Sequence, residues 1–185
     1  MTKTTKKVTA DKKWNSNSAE NKNWKITKQH KIIFGSVLLL FSIALLLSFL
    51  SFYIYGQQDQ STLTKLGDRT ETVHNWLGKL GVFLSDLLVY KGFGIASFLF
   101  VRLFFLTGLF LVLSIPLKKL KNIWFWDLFV AIILSVLFGF FFTSLPELGG
   151  TIGYELNLFF QDYIGKTGTI LVLIFGLIIY LPKFI

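Results

Sequence analysis

The sequence predicts an all-α membrane protein, with four transmembrane helices in two hairpin-like units and an amphipathic helix in the outer loop of each unit. Three observations carry this fold class. Hydrophobic residues make up 53% of the 185 positions, and they fall in blocks. Charged residues make up only 16%, against roughly 25% in soluble domains. The charge that remains is lopsided, a formal +9 from 19 Lys+Arg against 10 Asp+Glu, and nearly all of it lies between the blocks. The apolar content excludes a disordered chain. With no cysteine, disulfide scaffolds, thiolate metal sites and cysteine nucleophiles are excluded as well.

The first block, Ile32 to Tyr55, contains neither a charge nor a proline. At about 1.5 Å per residue it is long enough for a hydrocarbon core of roughly 30 Å. A cleaved signal peptide would have a shorter apolar run and a small-x-small cleavage site, so this block reads as an uncleaved anchor. The second block, Gly92 to Ile115, holds one charge, Arg102, and stops at Pro116. The third, Ile123 to Leu145, has Asp127 near its start. The fourth, Gly168 to Leu181 within 168–185, is the shortest.

The lysines set the expected orientation. The tail 1–31 holds nine lysines against Asp11 and Glu20, has no apolar period and reads as disordered. The loop 116–122 adds Lys118, Lys119 and Lys121. Segment 56–91 is balanced in charge, and segment 146–167 sets Glu147, Glu155 and Asp162 against Lys166. By the positive-inside rule the tail, the 116–122 loop and both termini are cytoplasmic, and the other two loops are outside. Trp24, Trp124 and Trp126 mark the inner interface; Tyr53, Tyr55 and Tyr90 mark the outer one. The net +9 is therefore a statement of sidedness rather than a nucleic-acid footprint.

Each outer loop carries an apolar stripe at helical spacing: Trp76, Leu80, Phe83, Leu84, Leu87 and Leu88 in the first, and Ile152, Leu156, Phe159, Phe160, Tyr163 and Ile164 in the second. Amphipathic helices over about 75–90 and 151–164 follow, lying along the outer surface or packed on the bundle. Gly78, Gly81, Gly92 and Gly94 bracket the first, and Gly149, Gly150, Gly153, Gly165 and Gly168 bracket the second. The chain thus reads as two related units, each span, amphipathic helix, span.

No motif for catalysis, cofactor binding or metal binding survives inspection. Gly165-Lys166-Thr167 resembles the end of a phosphate loop, but the required upstream glycine is replaced by Phe160. Asp68, Glu71 and His74 share one helical spacing without a fourth ligand. Arg102 is the residue singled out, because a charge inside a span is usually turned toward protein or water. Glu155 and Asp162, of the same or a neighbouring copy, are its expected partners, with Asp127 placed at the wrong depth.

The order of parts resembles the N-terminal membrane domain of FtsK-type DNA translocases, the bacterial motors of cell division and chromosome segregation. The residues that carry the resemblance are Asn75-Trp76-Leu77-Gly78-Lys79-Leu80-Gly81, Asp86-Leu87-Leu88 and Gly92-Phe93-Gly94, then Gly149-Gly150-Thr151-Ile152-Gly153 and Gly165-Lys166-Thr167-Gly168-Thr169. It extends from about Ile32 to the C-terminus, and Arg102 departs from the apolar second span of the family. The resemblance implies a four-span anchor in the inner membrane at the division septum. Its partners are the lipid bilayer, division proteins and further copies of itself, as a hexamer. DNA is contacted only through a motor domain absent from these residues, and the chain itself needs no cofactor and has no enzyme activity. The alternative is a stand-alone four-span scaffold or adaptor.

Overall fold

A computed structural model of the protein describes residues 28–65, 67–68 and 70–184. The tail 1–27, with Trp24 and most of the predicted disordered segment, lies outside the described residues. Within them every regular element is helical. In lipid a spanning segment must satisfy its own backbone groups, and a helix does so within one segment.

α1 (Lys28–Gln60) takes up the first apolar block, which contains no proline to break it. α2 (Gly78–Ser85) runs on into a π-helical stretch, Asp86–Phe93, and a 3-10 turn, Gly94–Ser97, before α3 (Phe98–Val112). The second span was expected to start at Gly92, but the backbone breaks there. Gly92 has φ −87° and ψ −124°, Gly94 has φ +61°, and the α-helix begins only at Phe98. α4 (Lys118–Phe141) follows a five-residue turn. α5 (Pro146–Phe184) is interrupted at Gly150 and Gly165, both at φ +68°, which leaves pieces over 146–149, 151–164 and 166–184. With ψ near 170° as well, this backbone region is almost closed to residues with a side chain, at a cost of roughly 1–3 kcal/mol, so glycine is the residue that fits both breaks. Four helical stretches are long and apolar enough to cross a membrane.

Lipid chains are as apolar as leucine, so these helices associate through close backbone approach and hydrogen bonds rather than hydrophobic burial. α1 and α3 pack antiparallel at a glycine pair: a Cβ on Gly35 would lie 2.8 Å from the Gly108 carbonyl oxygen, and one on Gly108 equally close to that of Gly35. Further along the same interface Phe41 meets Phe104 at 5.2 Å and Phe49 meets Phe98 at 5.6 Å. Leu45, Phe49, Phe52 and Val89 form the buried centre of this first unit. In the second unit Gly139 abuts Gly149 and Gly153, and Gly176 rests on Ile133. The turn between α3 and α4 carries its lysines to the end of the bundle where α1 begins, here called the basic end.

Candidate functional site

Arg102 and Asp127 meet inside the bundle. The Arg102 guanidinium donates to Asp127 Oδ1 at 3.0 Å, across from α3 to α4. This corrects the expected pairing with Glu155 and Asp162, both of which lie exposed on the 151–164 helix. The reason is a matter of levels. α4 starts at Lys118, earlier than the predicted span at Ile123, so Asp127 lies nine residues into the helix. Arg102 lies ten residues before the end of α3 at Val112. In an antiparallel hairpin with a short turn the two are level, each about 15 Å from its helix end. One helical turn nearer the basic end, Trp124 Nε1 donates to Thr107 Oγ1 at 3.0 Å, and Phe104 packs edge-on against Trp124. These contacts tie the first unit to the second within the membrane. The second oxygen of Asp127 is buried with no hydrogen-bond partner.

At the opposite end, here the loop end, the glycine-bounded helices rest on polar seams. Ser48 Oγ donates to the Gly81 carbonyl at 2.7 Å, Asn75 Nδ2 donates to the Ser48 carbonyl at 3.1 Å, and the Trp76 N–H donates to Ser51 Oγ at 3.1 Å. Asp59, at the end of α1, accepts the backbone N–H groups of His74 and Asn75. In the second unit Ser135 Oγ donates to the Gly149 carbonyl at 2.6 Å, and Asn157 Nδ2 donates to the Gly139 carbonyl at 3.3 Å. Both units therefore set a span serine against the opening glycines of the short helix, with a buried polar residue four places after Gly81 and Gly153: Ser85 and Asn157.

The first apolar stripe is split. Trp76, Leu80, Phe83 and Leu87 are exposed, whereas Leu84 and Leu88 pack against the buried centre of the first unit. Gly81, Ser85 and Asp86 are buried together with Val82 and Val89. The small and hydrogen-bonding residues among them allow the close approach to α1. Phe159 and Tyr163 are exposed on the second helix, their rings 4.6 Å apart and tilted by 39°.

The glycine brackets serve different purposes. Gly150 packs against Gly92 and Gly94, and Gly94 against Leu148 and Gly149, so the two breaks form one junction between the units. Thr151 Oγ1 donates to the Tyr90 carbonyl at 3.1 Å beside it, and Tyr53 OH to the Glu147 carbonyl at 3.2 Å. Gly153 sits on the Ser135 backbone. Gly165 has open space around it and is needed for its φ alone; Gly168 fits against Ile164 of the preceding piece. Gly35 and Gly108 are small residues that can let helices approach closely, but single glycines far apart in a chain carry no periodic signal that pairs them.

Asp68, Glu71 and His74, which the sequence spaces by three, form no metal-binding group among the described residues. Asp68 binds Thr70, and His74 turns to Asp59, with Nδ1 3.3 Å from Oδ1. The Thr70 N–H, then its hydroxyl and the charge of Lys79, hold the Asp68 carboxyl below its usual range.

Four apolar helices, cross-tied inside the bundle and broken at paired glycines, define a polytopic helical membrane domain. Residues 27–185 match the family described as the 4TM region of DNA translocase FtsK/SpoIIIE, and the chain belongs to that family. No curated protein and no solved structure matches it.

Proposed function

We propose that this chain is the membrane anchor of an FtsK-type DNA translocase, holding the motor at the division septum of the bacterial inner membrane and engaging division proteins. The observation that carries the reading is that family membership coincides with a one-sided charge pattern. Lys28, Lys31, Lys118, Lys119 and Lys121 all belong to the end of the bundle where α1 begins and α5 finishes. By the positive-inside rule that end is cytoplasmic, the side on which a motor would find DNA and ATP. The anchor contributes no chemistry and no cofactor; DNA is touched by the motor alone. A translocating motor pulls against its attachment, and extracting four spans from lipid is costly enough to bear the reaction. Copies gather as the motor's hexamer does.

A fluorescent protein fused after Ile185 tests the reading in dividing bacteria. The expected result is a ring at mid-cell. Even fluorescence around the whole membrane, from a fusion that is intact and membrane-inserted, overturns the septal role.

A further inference from the structure

We propose that a lateral groove between α1 and α3 receives a transmembrane helix from a different membrane protein, one that presents a neutral hydrogen-bond acceptor (Ser, Thr, Asn or Gln) to Arg102. The groove measures about 380 Å³ and is walled by Ser42, Ile43, Leu46, Phe98, Val101 and Phe105, with Arg102 on its lining; the Ser42 hydroxyl is turned to the Leu39 carbonyl of its own helix. After pairing, the Asp127 side chain is only 3% exposed, but that of Arg102 is still 46% exposed. A guanidinium has five N–H donors. The described residues give Arg102 one hydrogen bond, to Asp127. About 15 Å into the bundle there is no bulk water, and acyl chains offer no acceptor, so the remaining donors call for a protein group.

The chemistry of that group follows from the pair. Arg102 and Asp127 together are formally neutral, so a further carboxylate would bring an uncompensated charge into the membrane, whereas an amide or hydroxyl brings none. A second copy of this chain does not supply the acceptor. At this depth its exposed span faces are apolar, Leu40, Ile43 and Leu47 on α1 and Ile174, Phe175 and Ile178 on α5. Ser42, Ser48, Ser135 and Thr169 are buried in their own bundle. The occupant is thus a helix of another protein, and the inference goes beyond the septal anchor, because it needs only a membrane.

The absence of cysteine makes a site-specific test direct. The full chain carrying Leu50→Cys, labelled with bimane, is reconstituted in phosphatidylcholine vesicles. Leu-rich spanning peptides with a quenching tryptophan and Asn, Leu or Glu at the centre are then added. Leu50 is exposed on the same face of α1 as Ile43 and Leu46 and lies outside the groove's lining, and the same label at Phe175→Cys reports on α5. The Asn peptide should quench the Leu50 label with about 3- to 30-fold higher apparent affinity than the Leu peptide, the range of one interhelical hydrogen bond. It should leave the Phe175 label unchanged. The Glu peptide should bind no better than the Leu peptide. Arg102→Leu combined with Asp127→Leu should bring the Asn peptide down to the Leu level at unchanged helicity. Equal quenching by Asn and Leu peptides on the native chain overturns the proposal, and so does a preference for Glu. Should the double variant fail to fold, the Asn-to-Leu ratio on the native chain decides alone.

Discussion

Arg102 and Asp127 are unequal members of their pair, and single substitutions should reveal it. Arg102→Leu strands a carboxylate that is almost wholly buried, which costs about 3–5 kcal/mol. Asp127→Leu strands a cation that is still half exposed at the groove, a smaller loss of about 2.5 kcal/mol. The double substitution should recover most of either loss, because a neutral apolar pair suits the site. Thermal unfolding in detergent measures all three, and additive losses would contradict the pairing. Conversely, Glu155→Gln with Asp162→Asn should leave the unfolding temperature unchanged, since both side chains are exposed. Asp68 is a titrating case at the loop end. Its carboxyl is held below the usual range by Thr70, so the turn is intact above that range and lost only as pH falls through the lowered value. The Thr70 amide signal should therefore stay fixed from pH 8 to 5 and move only below about pH 4. A shift near neutrality would show that another group controls the turn. Arg102 was legible from composition, a charge alone in an apolar run. Its partner was not, because the sequence does not show how far α4 extends into its own lysines.

At the scale of elements, the glycines divide into those needed for conformation and those needed for contact. Gly165→Ala meets only the backbone cost of a side chain at positive φ and extended ψ, roughly 1–3 kcal/mol. Gly150→Ala meets that cost and a collision with the Gly92–Gly94 backbone, so it should lower stability distinctly more. Equal losses for the two would mean that the junction between the units does not hold them. The brackets themselves were legible, since glycines flank each stripe at a distance set by helix length. The contacts across them were not: Gly94 and Gly150 are distant in sequence, and nothing local marks them as neighbours. The stripes show the same division. Their helical spacing was legible, but periodicity alone cannot say which face turns inward. Over 78–91 Gly81, Val82, Ser85 and Val89 are buried, with Leu84 and Leu88 packed beside them, and Leu80, Phe83 and Leu87 are exposed.

At the scale of the whole molecule, two span–helix–span units stand side by side. They are joined near the basic end by Thr107 and Trp124, deeper in by Arg102 and Asp127, and at the loop end by the glycine junction. The number of spans was the most legible property, because apolar length has to match bilayer thickness. Sidedness rests on the lysines, and it decides whether the chain can serve as an anchor for a motor on DNA. Sided labelling of single cysteines tests that claim most directly. An impermeant maleimide is applied to intact cells from which any outer membrane has been removed, using Lys119→Cys in the α3–α4 turn region and Asp68→Cys in the first loop. Asp68→Cys should react at once, and Lys119→Cys only after the membrane is opened. Immediate labelling of Lys119→Cys with protection of Asp68→Cys would put the basic end outside and contradict the anchor.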